Sequence, residues 1–248
     1  MCSDTSLKAE ESKRVLVVYN FDGGKLGQVG SALDEVGAEI ESVRAHLGEE
    51  LPEEPERYDA LVVLGGVQNA LADDHCPWLP KLSGLMRAFG DSGRSVLGIC
   101  LGSQLLARAY GGQNIIGGAS EFGWQQVDLT PEGTDDPLFS GVPASFPIFQ
   151  WHDDTFNLPQ GIERLAGSST VRNQAFRIGR ATYGVQFHFE ADRILVEEWN
   201  RVFANWMAQN RPGWLERHPV EAERFGPKSD NAGLTIARNW VRTIVAAR

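Results

Sequence analysis

Three short apolar runs, "RVLVVYN" at 14–20, "ALVVLGG" at 60–66 and "RSVLGIC" at 94–100, recur along the chain with helical patterns between them. A strand that is apolar at nearly every position must be covered on both faces, which is the condition of a parallel sheet crossed over by helices. The intervening segments supply those helices. "LGQVGSALDEVG" places Leu26, Val29, Leu33 and Val36 at helical spacing, and "PWLPKLSGLMRAFG" does the same with Trp78, Leu82, Leu85, Met86 and Phe89 after a proline start. The acidic, proline-bearing "GEELPEEPERYD" reads as a surface connection. The expected class is therefore α/β, a mostly parallel central sheet with helices on both faces.

From about 124 to 188 the pattern changes to shorter segments separated by Gly and Pro turns: "WQQVDLT", "ASFPIFQW", "IERLAGSS", "NQAFRIG" and "ATYGVQFHF". These predict an added antiparallel or mixed part of the sheet. Two helices close the chain. One carries Leu195, Trp199, Val202, Phe203, Trp206 and Met207 as a stripe, and the other carries Ala237, Trp240, Val241 and Ile244 after a capping segment at Ser229 to Asn231. Residues 1–13 are polar and expected to be frayed.

At 248 residues, with 42% hydrophobic content, the chain can bury one large core. Its 23 basic and 33 acidic residues leave a formal charge of −10, which repels nucleic-acid backbones and anionic membranes, so neither is expected as a partner. Cys2, Cys76 and Cys100 match no disulfide framework and no zinc-ligand spacing. With no apolar leader and no span of about 18 apolar residues, these features predict a reduced, cytoplasmic protein.

Cys100 closes the third apolar run, stands between Gly98 and Gly102, and is followed at once by a helical pattern. At a sharp turn from strand to helix a side chain projects from the sheet at the positive end of the helix, where a thiolate is favoured. The alternative is a small buried core cysteine. Glycine on both sides weighs against it, because packing alone does not ask for two.

A thiolate nucleophile needs a base and an orienting acid. His46 and His218 lie in polar surroundings and read as solvated; His75 reads as part of a loop or helix start. "GVQFHFE" differs, because strand alternation puts Gln186, His188 and Glu190 on one face. His188 and Glu190 can then meet the same cavity. A metal held by Cys100, His188 and Glu190 is the weaker reading, since no fourth ligand is at hand. No metal or cofactor is expected.

Taken together, these stretches resemble a class I, triad-type glutamine amidotransferase, close to the glutaminase domain of guanylate synthetase. "GICLGSQ" is similar to the family's nucleophile motif and "GVQFHFE" to its His and Glu strand. "VVLGGVQNA" resembles the oxyanion loop, "SEFGWQQV" the lining of the glutamine pocket, and "IFQWHDDTF" a histidine-bearing strand. Val67 and Phe189 depart from the pattern, standing where many members have proline. The resemblance implies a flavodoxin-like catalytic domain over 14–190, with 191–248 a helical extension packed on it.

It further implies Cys100 as nucleophile, with His188 and Glu190 as base and acid. Backbone N–H groups of Gly66 and Leu101 would form the oxyanion hole, and Gly65, Gln104, Glu121 and His152 would hold the substrate. For Glu121 a surface charge, and for His152 a turn after a strand, are the competing readings; Asp153 and Asp154 read as solvated or capping groups. Trp124 and Trp151 are candidates for walling the site. The implied substrate is glutamine or another γ-glutamyl compound. No phosphate loop of the G-x-x-x-x-G-K-[ST] type is present, so ATP-driven transfer of the released ammonia would need a synthetase partner. The two enzyme readings are a self-sufficient hydrolase and a glutaminase component of a larger synthetase; a non-catalytic binding protein with the same fold is the third reading.

Overall fold

Strand positions alternate between two cores. Val15 and Val17 pack into one apolar cluster while Leu16 and Val18 pack into the other, and Ala60 and Val62 oppose Leu61 and Val63 in the same way. The computed structural model describes residues 12–246, so most of the segment expected to fray lies outside the described residues. In chain order the strands are β1 (Arg14–Tyr19), β2 (Glu39–Arg44), β3 (Ala60–Val63), β4 (Ser95–Ile99), β5 (Gln113–Ile115), β6 (Glu121–Leu129), β7 (Ser145–His152), β8 (Thr155–Asn157), β9 (Glu163–Gly167), β10 (Ala175–Ile178) and β11 (Thr182–Val185). The α-helices are α1 (Gly27–Asp34), α2 (Trp78–Asp91), α3 (Leu101–Ala109), α4 (Pro131–Asp135), α5 (Arg193–Val202), α6 (Ala204–Asn210) and α7 (Trp214–Arg242).

Nine strands form one sheet in the order β2-β1-β3-β4-β11-β10-β9-β6-β7, and β5 and β8 make a separate ribbon. The first five strands of that order pair in parallel, and β11, β10, β9, β6 and β7 continue it antiparallel. The α/β class read from the sequence stands. Residues of α1 and α7 pack on one face and those of α2 and α3 on the other. A third cluster, with Trp124, Phe149, Leu195, Trp199, Met207 and Trp214, joins α5, α6 and the start of α7 to β6 and β7.

Ile99 of β4 stands opposite Val185 of β11, and Val63 of β3 opposite Gly98. Chain leaving the carboxyl ends of these three neighbours therefore converges on one spot, the usual place for a site on an open parallel sheet. Among the described residues no helix is long and apolar enough to cross a membrane.

Several expectations need correction. The first helix ends at Asp34, so Val36 lies beyond it and is exposed. The edge strand β2 has no counterpart in the sequence reading, because four of its first five residues are exposed and only Val43 is buried. The stripe from Leu195 to Met207 is two helices broken at Phe203, and Val202 faces solvent. Ser229 to Asn231 does not open a helix, since α7 runs through it and Ser229 is fully buried; Asp230 instead accepts the Arg193 N–H at the start of α5. His218 is also buried, stacked on Trp124 with ring centroids 5.7 Å apart and edge-on to Trp214. Burial lowers its pKa, against the opposing pull of Glu197.

Candidate active site

Between Ile99, the last residue of β4, and Leu101, the first of α3, one residue must turn the chain. That residue is Cys100, at φ 51° and ψ −109°, and among the described residues it alone has a positive φ without being glycine. Such a backbone costs about 1–3 kcal/mol and persists only where its surroundings enforce it. The Cys100 N–H donates to the Val185 carbonyl at 2.8 Å, and the Cys100 carbonyl accepts from the Ser103 N–H at 2.9 Å and its hydroxyl at 2.7 Å. A Cβ on Gly98 would stand 2.4 Å from the Gly102 carbonyl oxygen, and one on Gly102 would stand 2.1 Å from that of Val63. The glycines flanking Cys100 are required by close approach of backbone to backbone.

His188 and Glu190 meet Cys100 by a route other than strand alternation. The strand β11 stops at Val185, and both residues sit in the irregular turn that follows. There His188 Nδ1 and Glu190 Oε1 are 2.6 Å apart, and both side chains are buried. The turn is held from three sides. The His188 N–H donates to the Phe149 carbonyl of β7, and from α1 the Gln28 N–H donates to the Glu190 carbonyl and Gln28 Nε2 to the Phe189 carbonyl. Gly233 of α7 closes the third side; a Cβ there would stand 2.3 Å from the Phe189 oxygen.

Burial opposes a charge on His188, but the Glu190 carboxylate and its hydrogen-bonded neighbour Cys100 outweigh it. The imidazole pKa is held well above its ordinary value.

These groups share a cavity of about 370 Å³. Gly65, Gly66, Leu101, Gln104 and His152 line it, as do Val67 and Trp151. Leu101 opens α3, so its N–H has no acceptor within the helix. A Cβ on Gly66 would stand 2.6 Å from the Leu101 side chain, so the two residues adjoin beside the thiol. Gln104 Nε2 donates to Gln186 Oε1 at 3.2 Å.

Glu121 is brought near but not into the cavity. Both it and His152 are almost fully buried, with His152 Nε2 3.2 Å from Glu121 Oε2 and His152 Nδ1 2.9 Å from the Asp154 carbonyl. The Ser168 hydroxyl donates to Glu121 Oε1 at 2.6 Å, and Gln174 Nε2 donates to Oε2. Glu121 is therefore neither a surface charge nor part of the lining; it anchors His152 from behind. Trp124 is also displaced from its expected place, lying in the third core cluster. Asp154 takes the Gly117 N–H at 2.8 Å, and Asp153 the Ser120 hydroxyl and an Arg211 guanidinium N–H.

Sequence reasoning missed the aromatic mouth: Phe21, Trp199, Phe203 and Trp206 also line the cavity. Trp199, Phe203 and Trp206 were legible as a stripe, but the stripe reads as core unless its break at Phe203 is known. Among the described residues no group of three or more His, Cys, Asp or Glu is arranged to hold a metal ion.

A strand-to-helix elbow bearing a thiol and a buried His–Glu pair after a neighbouring parallel strand thus face one cavity at the carboxyl ends of an open α/β sheet. Residues 17–198 match the family model "Glutamine amidotransferase class-I", and the chain belongs to that family. Gamma-glutamyl peptidase 4 of Arabidopsis thaliana is 32% identical over 211 residues, 79% of this chain and 83% of that protein. A glutamine-hydrolyzing GMP synthase subunit of Archaeoglobus fulgidus is 30% identical over 179 residues, 71% of this chain and 88% of that one. The crystal structure of a glutamine amidotransferase from Thermotoga maritima superposes with a TM-score of 0.81 at 26% identity, covering 96% of this chain and 100% of that chain.

Proposed function

We propose that the chain hydrolyses the amide bond of γ-glutamyl amides or peptides through a γ-glutamyl thioester on Cys100. The single observation that carries this reading is the enforced positive φ of Cys100 beside the buried His188–Glu190 pair. Its sulfur attacks the amide carbon, and the carbonyl oxygen takes the negative charge between the N–H groups of Gly66 and Leu101. His188, oriented by Glu190, gives its proton to the departing nitrogen as the C–N bond breaks. Water, deprotonated by His188, then attacks the thioester; glutamate leaves, and the thiolate and imidazolium are restored. His152, Gln104 and Gly65 hold the glutamyl part, with Glu121 acting on it only through His152.

The hydrolase reading is favoured by the similarity over most of the chain to a protein named as a γ-glutamyl peptidase. A second reading is a glutaminase component passing ammonia to a separate synthetase, favoured by the similarity to the GMP synthase subunit of Archaeoglobus fulgidus. Steady-state assays on the chain alone separate them, following ammonia, amine and glutamate from glutamine and from a panel of γ-glutamyl amides and peptides. The hydrolase reading expects an amide or peptide to be turned over in preference to glutamine. Negligible turnover of all, with Cys100 still labelled by a glutamine-like electrophile, would favour the second reading. Cys100→Ala should lower turnover at least about a thousandfold while leaving the circular dichroism spectrum intact. Unchanged turnover would remove Cys100 from the mechanism.

A further inference from the structure

The leaving amine must stand beside the group that protonates it, so the surface continuing outward from His188 decides which amines fit. That surface is aromatic. The Trp199 ring meets His188 edge-on with centroids 5.3 Å apart, Trp151 follows at 5.6 Å from Trp199, and Phe203 and Trp206 lie 5.5 and 5.4 Å beyond Trp151. Phe21 completes the rim against Phe203. All five rings line the Cys100 cavity, and Trp206 remains 36% exposed.

Charges at the rim are already engaged. Lys25 faces Glu198 at 3.6 Å, Asp153 pairs with Arg211 at 2.8 Å, and the Arg211 guanidinium lies over the Trp206 ring. A bare ammonia leaving group makes no use of this wall and leaves Trp206 exposed and Phe21, Trp151 and Phe203 half-buried. A ring on the leaving amine would cover them, gaining area burial and edge-to-face or offset contact together.

Resting on the hydrolase reading above, we propose that the rings from Phe21 to Trp206 form a leaving-group subsite, and that the substrates are γ-glutamyl amides or peptides whose amine carries an aromatic ring. The wall is supplied mainly by α5, α6 and the residue between them. Phe203, the residue between the two helices, meets both Trp151 and Phe21 and so joins the two sides of the wall.

Two measurements test the proposal. With the full chain, kcat/KM for γ-glutamyl phenethylamide should exceed that for γ-glutamyl ethylamide by roughly tenfold or more. Trp206→Ala should bring that ratio down severalfold, and Trp206→Phe should retain most of it. Equal kcat/KM for the two amides, or a ratio untouched by Trp206→Ala, overturns the subsite. The second measurement does not depend on chemistry: calorimetric titration of Cys100→Ala with the same two amides. Tighter binding of the phenethylamide supports the subsite, whereas equal binding, or binding of neither, overturns it. Selective binding by Cys100→Ala with no amine released by the native chain would defeat the hydrolase reading and leave the subsite standing.

Discussion

The two ends of the Cys100 cavity are built from opposite materials. Behind His152 lies a polar network in which Glu121 accepts from Ser168 and Gln174 and faces an imidazole nitrogen, with Glu121, His152 and Gln174 buried. Beyond His188 lies a row of rings held mainly by ring contact, with one hydrogen bond from Trp199 Nε1 to the Gly23 carbonyl, and open to water at Trp206. Hydrogen bonds have direction, so the polar end tolerates one arrangement; ring contacts are broad, so the aromatic end can take leaving groups of different outline. The lesson is that one cavity can be strict about the group it always receives and permissive about the group it releases.

The largest expected effect falls on the polar end. Glu121→Leu removes the acceptor shared by Ser168 and Gln174 and facing His152 Nε2, the last two buried, and should destabilise the chain by about 2–4 kcal/mol in urea unfolding, the scale of leaving buried polar groups unpaired. A loss under about 1 kcal/mol would mean that the network does not hold this end together. Between the ends, Cys100 stands beside His188, an imidazole whose pKa is held above its ordinary value by Glu190, whereas burial and the nearby Asp73 carboxylate push the Cys76 thiol up. Iodoacetamide at pH 7 should therefore label Cys100 roughly tenfold faster than Cys76 by peptide mass mapping. Equal rates would show that His188 does not activate the sulfur. The smallest effect is at the aromatic rim: Trp206→Ala should change unfolding free energy by less than about 1 kcal/mol, the scale of a partly exposed position. A larger loss would make Trp206 a structural residue and blur the contrast.

Much of this arrangement is legible in the sequence, for particular reasons. "GICLG" announces the elbow because a Cβ at Gly98 or Gly102 would stand only 2.4 or 2.1 Å from a backbone carbonyl oxygen. The strands β1, β3 and β4 are legible because both of their faces are buried and nearly every position is apolar. His188 and Glu190 are found for an incomplete reason: alternation puts them together on paper, while in the fold a turn does so. The edge strand β2 leaves almost no apolar trace, since Val43 alone of its residues is buried against the core and the rest of its pairing with β1 is a backbone ladder. The buried face of α7 is hidden differently. Gly226, Ser229, Ala232 and Gly233 mark it by smallness, since Gly226 abuts the Arg193 side chain and Gly233 the Phe189 carbonyl. A search for large apolar residues passes over such a face, and the serine inside it looks like a cap.

The contact at Gly233 also bears on how the reactive centre is assembled. The elbow draws on Val63 some 40 positions before it and, through the Cys100 N–H, on Val185 of β11 some 85 positions after it. The turn carrying His188 and Glu190 is clamped between Gln28, some 160 positions earlier, and Gly233, more than 40 positions later. Each of these contacts joins chain far apart in sequence, the kind whose closure entropy is met before any contact repays it. Thiol and acid–base pair are thus both children of the whole fold, and neither can be assembled by a local fragment of the chain.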